Sequence, residues 1–222
     1  MSAKVDLVIF DLAGTTIRDR GEVPEAFTSA LRDARIPFDP AEIGAWRGAS
    51  KREVIERLTG RLGLPSASAG QTYARFSAAL RARFSATRDL AFDAAQPAFE
   101  KLKAAGVKLA ANTGFDRETV SLVLSSTGWP ATTFDAVVCS DDVANGRPAP
   151  DMILRAMQRT GIVDPSRVAA VGDTRLDLEA GRQAGVAYRI GVLSGAHDRA
   201  TLEKAPHTHI VADVGAVPGI CL

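Results

Sequence analysis

The sequence predicts an α/β fold: a doubly wound parallel sheet with an inserted all-helical cap domain. In the second half of the chain, short apolar segments alternate with helical segments about ten residues long, which is typical of βαβ units. From about residue 20 to 88, by contrast, helical spacing occurs without a strand-like segment. We therefore predict an α/β core domain at residues 1–18 and 90–222, and a helical cap domain at residues 19–89.

The first strand is predicted at residues 5–10, and it ends at Asp11. It is apolar at nearly every position, as expected for a parallel strand covered on both faces. A turn of small residues, Ala13-Gly14-Thr15, follows at once. Open α/β sheets bind their ligands at the carboxyl ends of their strands, so Asp11 is the candidate chemical centre.

The remaining elements follow from the same patterns. Strands are expected at 107–111, 136–139, 168–171 and 187–192, with an edge strand possible at 209–211. Core helices are expected at 94–105, 117–126, 150–160 and 176–184. Cap helices are expected at 23–35, from Ser50 onward, and at 71–88, with breaks at Pro37, Pro40 and 63–70. Ser50 and Glu53 have the spacing of a capping box, which places a helix start there.

Composition excludes several classes of function. The chain has 222 residues, 46% of them hydrophobic, and a net charge of +1, which gives no electrostatic case for nucleic acid or an anionic membrane. Its two cysteines, Cys139 and Cys221, belong to no CxxC pair, so no disulfide framework or zinc site is indicated. No apolar run is long enough to span a membrane, and we expect a cytoplasmic protein.

Polar groups follow four of the predicted strands: Asp11, Thr113, the Asp141-Asp142 pair and Asp173. We expect all of them at one edge of the sheet, in one site. Asp11 and Asp173 side by side would repel each other unless a divalent cation lay between them, and their oxygen ligands suit Mg²⁺. Asp177, one turn after Asp173, is expected to hold a metal-bound water. The alternative is that these acids only cap helices.

A phosphate site is expected at the same edge. The backbone N–H groups of Ala13, Gly14 and Thr15 can form an anion nest, and Thr113 adds a hydroxyl donor. Arg147 offers a planar cation for phosphoryl oxygens, although it is also compatible with an ordinary surface loop. No GxxxxGK[ST] or GxGxxG pattern occurs, which disfavours a nucleotide P-loop or a dinucleotide cofactor.

Four short segments in this order resemble the motifs of the haloacid dehalogenase superfamily. They are Asp11-Leu12-Ala13-Gly14-Thr15, Thr113-Gly114, Gly146-Arg147-Pro148, and Gly172-Asp173-Thr174 with Asp177. The resemblance implies a Rossmann-like core with a cap, and Asp11 as a nucleophile that forms an aspartyl-phosphate. It also implies that Mg²⁺ is held by Asp11, the Ala13 carbonyl and Asp173, with Thr174 and Asp177 supporting them. Gly14, Thr15, Thr113, Gly114 and Arg147 would bind the phosphoryl group.

Two departures are similar to the phosphonatase branch of that superfamily. Ala13 replaces the second aspartate that most of its phosphatases use as a general acid and base, and Arg147 replaces a lysine. Lys51 matches the cap lysine with which phosphonatases form a Schiff base to an aldehyde substrate. The match is incomplete: Val54 stands where that branch has a histidine, Arg47 where it has a methionine, and no cysteine occurs near Gly21.

The local chemistry of Lys51 agrees with this role. If Ser50 caps the helix, Lys51 takes its first position, where the helix dipole disfavours an ammonium group. The neighbouring Arg47 and Arg52 would lower its pKa further, and Schiff-base chemistry needs a neutral amine. The alternative is a solvated surface lysine.

Three functions remain open at this point. The leading hypothesis is hydrolysis of the C–P bond of a small phosphonate aldehyde, phosphonoacetaldehyde or an analogue. The alternative is a phosphatase of a small phosphate monoester such as phosphoglycolate or a sugar phosphate. The third is a phosphometabolite-binding protein without catalysis. The expected partner is a small metabolite, and the resemblance also implies a homodimer formed through the caps.

Overall fold

The computed structural model describes residues 4–222, in which six strands form one fully parallel sheet. The strands are β1 (Leu7–Asp11), β2 (Lys108–Asn112), β3 (Ala136–Val138), β4 (Val168–Gly172), β5 (Tyr188–Val192) and β6 (His209–Val211). Their order across the sheet is β3-β2-β1-β4-β5-β6, which is a common order of doubly wound folds. The predicted fold class is confirmed, and the possible edge strand at 209–211 is formed.

Ten α-helices occur in the described part of the chain. They are α1 (Glu22–Asp33), α2 (Pro40–Ala45), α3 (Lys51–Arg61), α4 (Ser66–Ala86), α5 (Ala95–Ala104), α6 (Arg117–Ser126), α7 (Asp151–Thr160), α8 (Arg175–Gln183), α9 (Arg199–Leu202) and α10 (Val217–Cys221). Within residues 4–222, none of these helices has the length and apolar character needed to cross a membrane.

Strand β1 lies at the centre of the sheet and is buried along its whole length. Its Leu7 is level with Lys108 of β2 on one side and with Val168 of β4 on the other. Successive side chains point to opposite faces. Leu7 and Ile9 therefore pack with α7 and α8, while Val8 and Phe10 pack with α5 and α10. This two-sided burial explains the continuous apolar run and holds Asp11 at the strand end.

Helices α1–α4 lie in sequence between β1 and α5 and share an apolar core, in which Phe27 of α1 meets Phe76 of α4 edge to face at 5.7 Å. Two predictions about this insert were wrong. Pro40 does not only break a helix: it takes the first position of α2, capped by Asp39, where proline is well tolerated. Helix α4 begins at Ser66 rather than residue 71, directly after Pro65, so that the second part of the segment read as a break belongs to the helix.

The chain enters and leaves the insert side by side. The Arg18 N–H donates to the Leu90 carbonyl over 2.8 Å, and the Phe92 N–H donates to the Thr16 carbonyl over 3.0 Å. The predicted boundaries near residues 18 and 90 fall at this pair of crossings. The division into two domains stays a prediction, since the insert core is continuous with apolar side chains of α6.

Candidate active site

A cavity of about 340 Å³ lies between the carboxyl edge of the sheet and the inserted helices. It brings together most of the site residues that the sequence predicts. Those lining it are Asp11, Ala13, Gly14, Lys51, Thr113, Gly114, Arg147, Asp173 and Thr174. Thr15 and Asp177 are buried just behind the lining and bond to these residues.

Asp11 and Asp173 form a buried acidic pair at the floor of the cavity. The Thr15 hydroxyl lies 3.2 Å from Asp173 Oδ1 and 3.5 Å from Asp11 Oδ2, and the Ala196 N–H donates to Asp173 Oδ2 over 2.6 Å. Burial raises the pKa of both carboxyl groups, and nearby negative charges add to this effect: Asp177 acts on Asp11, and Asp11 and Asp177 act on Asp173. A cation between Asp11 and Asp173 would relieve the repulsion between them.

The donor set fits Mg²⁺. Residues 4–222 contain no group of three or more His, Cys, Asp or Glu side chains arranged to hold a metal ion. Mg²⁺ does not need one, because it is usually bound by one or two carboxylates and keeps several waters. The Ala13 carbonyl remains the predicted third protein ligand of Mg²⁺, beside Asp11 and Asp173. Gly14 is required beside this pair: at φ +85°, a Cβ on it would lie 2.4 Å from Asp173 Oδ2.

Arg147 is buried between two carboxylates. Its Nη2 donates to Asp11 Oδ1 over 2.6 Å and its Nη1 to Asp177 Oδ1 over 2.5 Å, while its Nε has no hydrogen-bond partner in residues 4–222. Burial would lower the Arg147 pKa, but the two carboxylates outweigh that effect and raise it. This excludes the surface-loop alternative for Arg147.

Asp177 is fully engaged by the protein. Its Oδ2 accepts from the N–H and hydroxyl of Thr174, over 3.0 and 2.5 Å, and its Oδ1 accepts from Arg147. A carboxylate held on both oxygens caps α8 and orients Arg147. The predicted contact with a metal-bound water finds no support in this arrangement.

The turn after β1 is also less open than expected. The Gly14 N–H donates to the Ile17 carbonyl over 2.7 Å, and the Thr15 N–H to the Leu12 carbonyl over 3.1 Å. Two of the N–H groups expected in an anion nest therefore bond inside the turn. Phosphoryl binding at this edge stays a prediction, and Arg147 Nε and Thr113 are its strongest remaining donors.

Lys51 is the first residue of α3, and the Ser50 hydroxyl caps that helix by accepting from the Glu53 N–H over 3.4 Å. The Glu53 carboxylate does not complete the expected capping box, because it accepts from Gly146 instead, over 2.5 Å. Lys51 Nζ donates to the carbonyls of Trp46 and Ala49, each over 3.1 Å. These bonds hold the amine against the cavity wall.

The electrostatic surroundings of Lys51 favour its neutral form. Burial lowers its pKa most, and the positive charges of Arg147 and Arg47 add to this effect. The Asp19 carboxylate opposes them, and the resulting pKa is about 8. This differs from a freely solvated surface lysine, whose pKa is about 10.4.

Asp141 and Asp142 do not join the site, contrary to the prediction. Asp142 pairs with Arg117 and Arg159, both at about 2.7 Å or less, and Asp141 lies 3.6 Å from Arg52. The strand-end rule places these acids near the correct edge, but their arginine partners come from other elements and hold them outside the cavity.

Two groups in the cavity wall were not predicted from the sequence. Asp19 lies in the loop before α1, and residues 194–196 follow β5. The Ser194 hydroxyl donates to the Gly14 carbonyl over 2.8 Å, which ties that loop to the turn after β1. The strand-end rule that located Asp11 would also have found residues 194–196, because β5 ends at the same edge.

A model of the haloacid dehalogenase-like hydrolase family matches residues 5–185. The chain belongs to this family. Its relatives include the phosphonoacetaldehyde hydrolase of Latilactobacillus sakei, 33% identical over 196 residues that cover 82% of this chain and 73% of the relative. A probable phosphatase, IndB, of Dickeya dadantii is 34% identical over 218 residues, covering 96% and 92% of the two chains.

Two solved structures are also similar to the structure of this chain. A hydrolase from Pseudomonas syringae superimposes with a TM-score of 0.85 at 24% identity, covering 96% of both chains. A phosphonoacetaldehyde hydrolase-like protein from Oleispira antarctica superimposes with a TM-score of 0.83 at 22% identity, covering 99% of this chain and 93% of the other. At these identities the likeness shows the fold alone.

Where this family member departs from the phosphonatase pattern, two of the positions behave differently in the structure. Val54 is buried in the apolar core of the insert. Arg47 is exposed and lines the cavity. The insert side of the cavity wall therefore carries a cation at position 47, and the side chain at position 54 does not line the cavity.

Proposed function

We propose that this hydrolase cleaves the C–P bond of a small phosphonate carbonyl compound, phosphonoacetaldehyde or an analogue. One observation carries the proposal: the Lys51 amine, with a pKa of about 8, lines the same cavity as the Asp11 carboxylate. The relative named phosphonoacetaldehyde hydrolase supports this choice of reaction.

The first stage uses Lys51. Its neutral amine adds to the substrate carbonyl, and loss of water gives an iminium ion on Nζ. An Asp11 oxygen then attacks phosphorus. As the C–P bond breaks, its electron pair moves onto carbon and forms an enamine, which neutralises the positive nitrogen. The phosphoryl group is now bonded to Asp11.

The second stage regenerates both residues. The enamine carbon takes up a proton, and water hydrolyses the resulting iminium ion to release the carbonyl product and free Lys51. A second water attacks the phosphorus of the aspartyl-phosphate, which releases phosphate and restores the Asp11 carboxylate. A bound Mg²⁺ would supply positive charge to the phosphoryl oxygens during both transfers.

The chain's own groups suit the phosphoryl end. Arg147 keeps Asp11 in one position through the 2.6 Å bond, and its buried Nε is a donor without a partner in the described residues. The Thr113 hydroxyl, buried at the end of β2, accepts from the Phe115 N–H and keeps its own proton to donate. Both residues line the cavity, and these donors support the proposed binding of phosphoryl oxygens there.

Ala13 favours C–P cleavage over ester hydrolysis. A phosphate ester expels an alkoxide, and protonation of that group by a general acid contributes roughly 10² to 10⁴ in rate. The alanine side chain at position 13 provides no such acid. In C–P cleavage the leaving carbon is stabilised by the iminium ion instead, so Ala13 is no handicap.

A phosphatase is the second candidate, and two observations favour it. Arg47 places a cation at the end of the pocket that would meet the aldehyde, and the relative named as a probable phosphatase aligns with 96% of this chain. Lys51 would then act as an ammonium group that binds the substrate.

Borohydride trapping separates the two candidates. The enzyme is incubated with phosphonoacetaldehyde and sodium borohydride, the adduct is located by peptide mass, and acetaldehyde release is measured in parallel. We expect an adduct on Lys51, with trapping and release both lost in Lys51→Arg and both retained in Lys204→Arg, an exposed control. If Lys51 carries no adduct, and Lys51→Arg still hydrolyses phosphate esters, the phosphatase function replaces this proposal.

A further inference from the structure

Arg47 is a cation in the cavity wall that the reaction above does not use. It follows α2, its side chain is exposed, and it lines the cavity together with Lys51 and Asp11. The other two cations of the wall are engaged: Arg147 pairs with Asp11 and Asp177, and Lys51 donates to two carbonyls. Among residues 4–222, no acid forms an ion pair with Arg47 and no hydrogen bond involves its side chain.

Arg47 adds a positive charge to a cavity wall that already contains Lys51. Its charge acts against protonation of Lys51 and also of His197, which lies on the core side of the cleft. Asp19 is the acid that the insert side contributes to this wall, but its Oδ1 already accepts from the N–H groups of Gly21 and Val23, each over 3.1 Å. The start of α1 therefore holds Asp19, and Arg47 keeps an uncompensated charge.

We infer that the substrate carries a carboxylate at the end remote from its phosphoryl group, and that Arg47 recognises it. This inference rests on the proposed function for the direction of binding. With the phosphoryl group at Asp11 and the carbonyl at Lys51, the far end of the substrate faces the insert. Arg47 and Lys51 flank the same short loop, so one ligand reaches both. A guanidinium pairs with a carboxylate through two parallel hydrogen bonds.

The size of the cavity limits what else the substrate contains. A volume of about 340 Å³ lies at the low end of the usual range for small-molecule sites. A phosphonate carbonyl compound with one added carboxylate fits within this volume. The substrate class is therefore a small phosphonate oxo acid, in which Lys51 meets the oxo group and Arg47 the acid.

The test compares two pairs of substrates that differ in the carboxylate. For C–P cleavage, the pair is 3-phosphonopyruvate and phosphonoacetaldehyde. For ester hydrolysis, it is 2-phosphoglycolate and glycolaldehyde phosphate. In each pair, the measured quantity is the ratio of kcat/KM for the carboxylated member to that for the member without a carboxylate. A ratio is needed because Arg47 also acts on the Lys51 pKa, which affects both members.

Arg47→Met should lower this ratio by about 10- to 100-fold, the usual size of a charge-assisted hydrogen-bonding contact. Arg47→Lys keeps the charge but loses the planar fork, so its kcat/KM ratio should lie between those of the unmodified protein and Arg47→Met. Arg57→Met, on the exposed side of α3, is the matched control and should leave the ratio unchanged. A ratio that does not change in Arg47→Met, or that changes equally in Arg57→Met, overturns the inference.

The two proposals fail in different ways. If trapping shows no Lys51 adduct but the ester pair keeps an Arg47-dependent ratio, C–P cleavage is wrong and carboxylate recognition stands. If the adduct forms but the ratio in the phosphonate pair does not depend on Arg47, the Schiff-base mechanism stands and the inferred recognition of a carboxylate by Arg47 is wrong.

Discussion

Arg147 donates to Asp11 over 2.6 Å, and only 3% and 7% of the two side chains are exposed. The same guanidinium donates to Asp177 over 2.5 Å. One buried cation therefore compensates two buried carboxylates, one at the end of β1 and the other in α8. This arrangement fixes the position of Asp11, the proposed nucleophile, and it also contributes to folding.

Arg147→Met should destabilise the protein strongly. It leaves Asp11 and Asp177 buried without their cation, and removal of one partner of a buried pair costs about 3–5 kcal/mol. Urea unfolding at pH 7 measures the free energy of unfolding. The control is Arg167→Met, which breaks the exposed pair of Arg167 with Asp6 and should cost about 0–1 kcal/mol. Similar small losses in both variants would show that Arg147 does not stabilise the fold.

The sequence predicts the catalytic edge well because one physical rule covers it. All strands of a parallel sheet end at the same edge, so Asp11, Thr113 and Asp173 could be grouped although they lie far apart in the chain. Lys51 was singled out by its resemblance to the cap lysine of phosphonatases, and a second rule, helix capping by Ser50, predicted its place at the first position of α3. Both rules depend on local patterns that the sequence contains.

The parts that could not be predicted depend on side-chain partners brought together by folding. Nothing in the spacing indicates that Asp177 bonds to Arg147, or that Asp142 is held by Arg117 and Arg159 outside the cavity. That Arg47 has no acidic partner within residues 4–222 is likewise a property of the assembled cavity. The homodimer implied by the family resemblance stays a prediction.

Asp173→Asn should change the response of stability to Mg²⁺. The pKa of Asp173 is raised to about 8, so at neutral pH the metal-free folded protein must keep this acid protonated while the unfolded chain ionises it, and this difference destabilises the fold. In EDTA, Asp173→Asn should therefore unfold at a higher temperature than the unmodified protein. Mg²⁺ should raise the Tm of the unmodified protein. At 100 times its Kd, the ion should add about 2.7 kcal/mol to the free energy of unfolding.

The same Mg²⁺ addition should leave the Tm of Asp173→Asn nearly unchanged. Asp33→Asn, an exposed acid at the end of α1, is the control and should respond as the unmodified protein does. Equal stabilisation of all three proteins by Mg²⁺ would place the ion elsewhere.

Gly48→Ala should reduce activity through the contact between insert and core. Gly48 has φ +81°, and a Cβ there would lie 2.3 Å from Thr174 Oγ1 and 3.0 Å from Thr174 Cβ. The insert must move away from the sheet edge to relieve this contact, which also moves Lys51 away from Asp11. A displacement of about 1 Å can cost about 10² in rate, so kcat/KM should fall by about that factor.

Gly63→Ala is the matched control for Gly48→Ala. Gly63 has a similar positive φ of +65°, but a Cβ there would meet no atom within 4 Å. It should lose about 1–2 kcal/mol of stability from the left-handed backbone, with activity unchanged. Equal kcat/KM values in the two variants would mean that close contact at Gly48 is not needed for catalysis.

The pH dependence of trapping at Lys51 decides which protonation state the reaction uses. With a pKa of about 8, the amine is mostly protonated at pH 6, and its neutral fraction rises about tenfold per pH unit until it levels above pH 8. The rate of borohydride trapping should follow that rise. For an ammonium group that only binds substrate, the pH dependence has the opposite sign, because its contribution to kcat/KM is lost as the pH rises through 8.

Arg47→Met supplies an internal check on this pH profile. Removal of that positive neighbour should raise the Lys51 pKa and shift the trapping profile to higher pH, whereas Arg57→Met should not move it. A trapping rate that falls between pH 6 and 8 would contradict a neutral amine as the reacting form.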